Sequence, residues 1–123
     1  MKGFFLNCSG NTFDWDIFVT KKKYIETRTR NTLEPLFGER VAVIRTGRGS
    51  TVVIGTVMLA GIMPPDKEEW SKHQRERACI EPGSKWDSEN GKWCYYLSEP
   101  EMFKHPSPVP ANAVRHGRSW CEW

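Results

Sequence analysis

The sequence predicts a strand-rich α+β fold, a small β-barrel with two or three flanking helices. Short apolar and β-branched runs, such as Val41–Thr46 and Thr51–Leu59, recur along the chain between turn residues. Helix-start patterns occur at two places, Thr12 and Asp66. The chain has 123 residues and no internal repeat, so we expect residues 1–123 to form one domain.

The first half of the chain predicts three strands and one helix before residue 50. The apolar run Gly3–Cys8 is the expected opening strand. Thr12 is expected to cap a helix with an apolar stripe. Tyr24–Arg30 alternates in a strand-like pattern, with one face lined by solvent or ligand. Val41–Thr46 and the run after it are expected to form a hairpin with the basic tip Gly47–Ser50. The apolar stripe of the helix expected after Thr12 consists of Phe13, Trp15, Ile17 and Phe18.

The second helix is expected to be a charged surface helix. Asp66, with Glu69 three residues later, matches a capping box, and the helix is predicted to run to about Cys79. Trp70 and Ala78 are its expected contacts with the core.

The last third of the chain predicts hairpins and extended segments. Asn90-Gly91 predicts a hairpin between Lys85-Trp86 and a strand from Lys92 to Leu97. The segment after it is expected to be extended, without a central strand, because it is rich in proline. Residues 118–123 are expected to form a closing strand. The prolines are Pro100, Pro106, Pro108 and Pro110.

Several functional classes are excluded by pattern. No apolar run approaches the roughly 20 residues of a membrane span, and the N-terminus lacks the apolar core of a secretion signal, so a cytoplasmic location is expected. The four cysteines form no C-x-x-C pair and lie at no metal-ligand spacing from the histidines. We therefore expect reduced thiols, no metal and no cofactor.

Charge is distributed unevenly along the chain. The net charge of +3 does not indicate a nucleic-acid binder by itself. Residues 21–50, however, contain eight basic and three acidic side chains, whereas residues 66–101 contain six basic and nine acidic ones. A positive face of this kind attracts polyanions, although charged runs are often only solvated surface.

Two blocks of the sequence each contain several short motifs in a fixed order. In the first, an apolar-Trp step in a short helix precedes a lysine, a glutamate three residues on and an arginine two further, and then a Gly-Glu-Arg step into a strand. In the second, a strand, a proline segment and a Gly-x-x-Trp end follow one another. The first block is Trp15, Lys23, Glu26, Arg28 and Gly38–Val41, and the second is Trp93–Pro100, Pro106–Val109 and Gly117–Trp120. In this order and spacing the blocks resemble the ASCH domains, members of the PUA-like superfamily, with residues of about 66–92, the charged helix and the hairpin, as an unmatched insert.

The resemblance implies a PUA-like β-barrel with a cleft beside the Lys23–Arg28 strand. It also implies binding of RNA or another nucleic acid. A few small members are similar to amidohydrolases acting on N4-acetylcytidine, or to ribonucleases. The amidohydrolase pattern has a threonine three residues after the lysine, where this chain has Glu26, and its distant glutamate has no assigned counterpart here.

Three interpretations of the Lys23–Arg28 strand remain open. Because side chains alternate along a strand, Glu26 and Arg28 share one face, and Lys23 at its start reaches either face. As a binding site, Glu26 accepts from a base amino group, Arg28 stacks or pairs with phosphate, and Lys23 neutralises backbone charge. As a catalytic site, Lys23 and Glu26 divide proton transfer. The third interpretation is a Glu26–Arg28 surface pair.

Three more residues complete the predicted site. Trp15 is expected to form a wall of the cleft, where an exposed ring can stack on a base. Arg45 and Arg48, near the hairpin tip, are expected to extend a phosphate track. The prediction is a domain that binds RNA or a modified nucleobase or nucleoside. A small hydrolase using Lys23 and Glu26 is the alternative, and a protein-interaction module is the third.

Overall fold

Seven strands form one mixed sheet in the computed structural model, which describes residues 1–123. Their order across the sheet is β2-β5-β4-β3-β1-β7-β6. The strand-rich α+β class is confirmed. The strands are β1 (Lys2–Asn7), β2 (Ile25–Arg28), β3 (Arg40–Thr46), β4 (Val52–Met63), β5 (Trp93–Pro108), β6 (Val114–His116) and β7 (Trp120–Glu122).

The central strands β1 and β3 are parallel and covered on both faces. Phe4 and Val43 pack into the main core of 21 residues, whereas Phe5 and Ile44 pack into a second cluster of five on the opposite face. A strand buried on both sides has continuous apolar sequence rather than alternation, as both of these do.

None of the helices in the structure has the length and apolar character that crossing a membrane requires.

The sheet curls into a partial barrel. Nη2 of Arg28, on the edge strand β2, donates a hydrogen bond of 2.6 Å to the carbonyl oxygen of Phe5 on β1. Three strands separate β2 from β1 in the sheet order, so only a strongly curved sheet brings them this close. The predicted small barrel is therefore confirmed in its partly open form.

The first helix, α1 (Phe13–Phe18), is short and packs one side on the sheet. Phe18 lies against Gly55 of β4, where an added Cβ would come within 2.7 Å of its ring. Thr12 occupies the N-cap position but donates to Asp16 instead of capping, and Asn11 Oδ1 accepts from the Phe13 amide. The predicted stripe is wrong at one place: Trp15 is 55% exposed.

The second helical stretch consists of α2 (Lys67–Glu69), a π-helical turn (Trp70–Gln74) and α3 (Arg75–Arg77), and we call it the insert helix. The Asp66 side chain caps it as predicted, accepting from the amides of Glu68 and Glu69. Trp70 and Ala78 are fully buried, as predicted. The helix ends two residues before the predicted Cys79.

In the last third of the chain one prediction is wrong, the hairpin, and one is confirmed, the extended proline segment without a central strand. Lys85-Trp86 is not a strand, because the loop folds onto the insert helix: Asp87 accepts hydrogen bonds from Trp70 Nε1, Arg75 Nε and the Gly83 amide. The proline segment, except Pro110, belongs to β5. Beyond Tyr96 this strand pairs with β4 alone, and a strand with one free edge tolerates proline.

Candidate functional site

Strand β2 presents a carboxylate and a guanidinium side by side, as the alternation predicts. Oε2 of Glu26 accepts from Arg28 Nη2 at 3.1 Å, and Oε1 accepts from the Thr27 amide at 2.9 Å. The Glu26 side chain is 8% exposed and that of Arg28 is 19% exposed. Both are held firmly, because Arg28 also bonds the Phe5 carbonyl.

Lys23 joins this pair from inside the protein. Its Nζ lies 3.7 Å from Oε1 of Glu26 and donates to the carbonyl oxygens of Ile25 at 2.9 Å and Ala78 at 2.6 Å. It also lies 4.3 Å from the centre of the Phe13 ring. The side chain is fully buried, so Lys23 lies behind the wall of the site and not on its surface.

Burial governs the protonation of the two lysines near Glu26. Desolvation lowers the pKa of Lys23, and the attraction of Glu26 opposes this effect. Burial likewise lowers the pKa of Lys92, again opposed by Glu26. One carboxylate therefore faces three nearby cationic side chains, the two lysines and Arg28.

A cleft of about 230 Å³ opens in front of Glu26 and Arg28. Its lining combines three aromatic residues, Phe5, Phe13 and Trp86, with the polar side chains of β2. The rings of Phe13 and Trp86 meet edge to face, with centroids 5.7 Å apart. The lining residues are Phe5, Leu6, Asn7, Phe13, Glu26, Thr27, Arg28, Thr29, Ile80, Trp86 and Lys92.

Among the cleft residues that the sequence analysis did not place in the site are Trp86 and Lys92. Lys92 Nζ donates to the Trp86 carbonyl oxygen at 2.8 Å, which ties the two together. Both were assigned to the arms of a hairpin. The pairing of β2 with β5 sets Trp93 opposite Arg28 and thereby brings Lys92 to the cleft, and no local signal in the sequence reveals that pairing.

The fold resembles that of solved structures of one bacterial protein. The crystal structure of the ASCH protein from Zymomonas mobilis matches with a TM-score of 0.67 and 22% identity, covering 96% of this chain and 85% of that chain. A tyrosine-to-phenylalanine mutant of it gives 0.66 and 25% over 89% and 77%, and a serine-to-alanine mutant gives 0.65 and 24% over 86% and 73%. No family model and no curated protein matches the sequence.

The chain has the ASCH-domain fold. The Gly-x-x-Trp motif near residue 120 has a structural role in this fold. Gly117 adopts a left-handed φ of 65°, and Trp120 begins β7, which pairs with β1. Residues 66–92 supply part of the wall of the cleft through Trp86 and Lys92.

Four of the six predicted site residues do not line the cleft of this ASCH fold, and one of these four, Lys23, lies directly behind its wall. Trp15 points to solvent on α1 and forms no wall, which corrects the prediction. Arg48 does not extend a free cationic track, because it is bonded to the Asp14 carboxylate and the Asn11 carbonyl. Arg45 is half-buried on β3 and does not reach the cleft either. Lys23, Glu26 and Arg28 are brought together.

Other chemistry in the ASCH fold is limited. No group of three or more His, Cys, Asp or Glu side chains is placed to hold a metal ion. All four cysteines are unbridged. Burial raises the pKa of the Cys8 and Cys94 thiols to about 11, so both are neutral and unreactive at physiological pH.

Proposed function

We propose that the protein binds RNA, taking one nucleobase into the cleft between Trp86 and the paired side chains of β2. The observation that carries this proposal is the Glu26–Arg28 pair, fixed at the wall of an aromatic cleft. A carboxylate accepts from a base amino or imino group, and a guanidinium donates to a ring nitrogen or carbonyl. Together they match the mixed donor and acceptor edge of a base.

The rings support base binding independently of hydrogen bonds. Trp86 is half-buried, lies edge to face with Phe13, and has the Lys85 ammonium 4.8 Å from its ring centre, so a base would stack on the part of the indole that lines the cleft. Stacking of a base on such a ring contributes about 1–3 kcal/mol.

The charge and the volume of the cleft favour the binding of a single nucleotide of a longer polyanion. Arg28 and Lys92 outnumber Glu26 among the charged side chains that line the cleft, which gives its lining an excess of positive charge. A volume of about 230 Å³ is below the range of roughly 300–1,000 Å³ usual for drug-sized ligands. One base enters such a cleft, and the rest of the strand lies outside it.

The test is fluorescence anisotropy of short single-stranded RNA, with and without N4-acetylcytidine, at low and moderate salt. We expect saturable binding that weakens with salt, and a loss of roughly 5- to 150-fold in Trp86→Ala, from the stacking energy. Trp15→Ala is the matched control, since it removes an exposed indole that does not line the cleft. Equal losses in both variants, or no saturable binding at low salt, would refute the proposal. Binding of a protein partner would then be the better interpretation.

A second candidate, a small hydrolase, is favoured by one observation: the buried amine of Lys23, with its lowered pKa, lies 3.7 Å from Glu26. Since the Lys23 side chain is fully buried, it acts on Glu26 and not on the substrate. The test is chromatography of products from N4-acetylcytidine and from RNA. The hydrolase candidate requires turnover by the wild type that Glu26→Gln abolishes while binding persists, and intact substrate after prolonged incubation would exclude it.

A further inference from the structure

Two further hollows adjoin the cleft and continue it. The second, of about 250 Å³, shares Phe13 and Trp86 with the cleft. The third, of about 560 Å³, shares Cys79 with the second. The three hollows therefore neighbour one another in a row from Glu26 and Arg28 to the end of the insert helix, and we call this row the strand groove.

We propose that the strand groove holds the RNA chain that continues from the bound base, so that the insert of residues 66–92 is a second RNA-binding element. This inference rests on the proposed function and extends it to several nucleotides. Rings lie at both ends of the path: Trp86 at the junction with the cleft, and Tyr24, 42% exposed, beside the third hollow. Successive bases of a single strand stack on spaced rings of this kind.

Cationic groups accompany the rings. Lys22 and Arg77 line the third hollow, where Glu76 is the only acid. Arg77 forms a long, exposed ion pair with Glu69, 3.9 Å from Nη1 to Oε1, and its side chain is 38% exposed, so phosphate can compete for it. Single-stranded RNA provides the matching anions at regular intervals.

The second hollow adds a polar contact. Ser84 lines this hollow. Its Oγ atom is buried and has no hydrogen-bond partner in the protein. A buried hydroxyl without a partner is costly, and a ribose 2′-hydroxyl or a phosphate oxygen satisfies it.

The groove is fixed relative to the cleft by hydrogen bonds. The Tyr24 amide donates to the Arg77 carbonyl oxygen at 3.1 Å, and Lys23 Nζ donates to that of Ala78 at 2.6 Å. These bonds join the segment that leads into β2 directly to the end of the insert helix. An RNA chain that occupies both the cleft and the strand groove therefore meets a surface that is already ordered.

The experiment compares a mononucleotide with single-stranded RNA of four and eight nucleotides, for wild type and the double variant Lys22→Gln/Arg77→Gln. The control, Lys104→Gln/Arg118→Gln, removes the same charge from exposed positions that line none of the three hollows. Circular dichroism verifies that the variants fold. We expect the groove variant to bind the mononucleotide as the wild type does, and its log-log salt dependence for the octamer to be shallower by about 1.4, two phosphate contacts at about 0.7 each.

The outcomes separate the two proposals. A shallower slope in the groove variant alone supports the strand groove. If the wild type binds both ligands and the groove variant matches the control, the groove is refuted and the base cleft stands. If the wild type binds neither ligand, the proposed function fails, and this inference fails with it.

Discussion

The ammonium group of Lys23 lies 3.7 Å from the carboxylate of Glu26, and a fully buried side chain thereby holds a residue of the cleft from behind. Two carbonyl oxygens bind the same ammonium, one from β2 and one from the end of the insert helix. Lys23 therefore links the site, the sheet and the insert. Lys23 therefore contributes mainly to the stability of the fold, and it affects ligand binding only through Glu26.

Lys23→Met is expected to destabilise the protein by about 3 kcal/mol, because it leaves the buried carbonyl oxygens of Ile25 and Ala78 without their donor and removes one cationic neighbour of Glu26. Urea unfolding at pH 7 measures this loss. Lys22→Met is the matched control: its neighbouring side chain is exposed, and we expect a change within about 0.5 kcal/mol. Equal effects of the two substitutions would show that Lys23 has no structural role.

The buried thiols are expected to reduce stability at alkaline pH. Burial raises the pKa of Cys8 and Cys94 from 9.0 to about 11, so the unfolded chain releases these protons first. Their contribution to stability is fully present below pH 9 and is lost as pH rises towards 11. Between pH 7 and 10.5 the loss is roughly 2 kcal/mol for each thiol.

Urea midpoints of Cys94→Ala at pH 7 and 10.5 test this pH dependence. The variant is expected to lose roughly 2 kcal/mol less over this interval than the wild type. Lys23, with its lowered pKa, acts in the opposite direction, so the comparison between variants isolates the thiol. Val57→Ala serves as the control, since it creates a core defect without a titrating group. If Cys94→Ala and Val57→Ala have the same pH dependence, the thiol does not titrate as described.

Asp87 is expected to be the main anchor of the insert loop. Its three hydrogen bonds, from Trp70, Arg75 and Gly83, hold the pKa of the carboxyl well below its usual range, with the Arg75 bond the largest cause. The stabilisation is fully present above about pH 4 and is lost as pH falls through the lowered pKa.

Asp87→Asn is expected to lower stability at pH 7 by about 2 kcal/mol, the scale of hydrogen bonds to a charged group. Thermal unfolding, followed by tryptophan fluorescence, measures the change. The difference from wild type is expected to shrink as the carboxyl becomes protonated in acid. Glu89→Gln, an exposed carboxylate in the same loop, is the control, and a comparable loss there would contradict the assignment.

Arg48→Gln is expected to leave RNA binding and its salt dependence unchanged, because Arg48 is already bonded to Asp14 and the Asn11 carbonyl. Anisotropy titrations at two salt concentrations measure this. The cost in stability is at most about 1 kcal/mol, since the arginine side chain is 46% exposed. A shallower salt slope in this variant would restore the predicted track along the hairpin tip.

Local patterns in the sequence were sufficient for most of the sheet and for part of the site. Alternation along 24–30 placed Glu26 beside Arg28, and β-branched runs predicted the β3–β4 hairpin. The same alternation left the orientation of Lys23 open. Its direction depends on the Ala78 carbonyl, 55 residues away, to which its ammonium donates.

The errors have a common cause in long-range packing. Trp15 lies on the predicted helix, but α1 has six residues and buries only one of its sides. Phe13, and not Trp15, therefore lines the cleft. Trp86 was assigned to a hairpin because Asn-Gly is a strong turn signal. The hydrogen bonds of Asp87 to the insert helix prevailed over that signal.

Strand β2, which carries Glu26 and Arg28, has four residues and a single neighbouring strand, β5. Its backbone amides therefore open to solvent at a lower cost than those of β3, which lies between β1 and β4. Hydrogen exchange is expected to be faster in β2 than in β3 in the free protein. A ligand that contacts Glu26 and Arg28 binds only while β2 stays paired, so binding slows exchange most at Ile25–Arg28. Ligand affinity and the local order of this edge strand are thus thermodynamically linked.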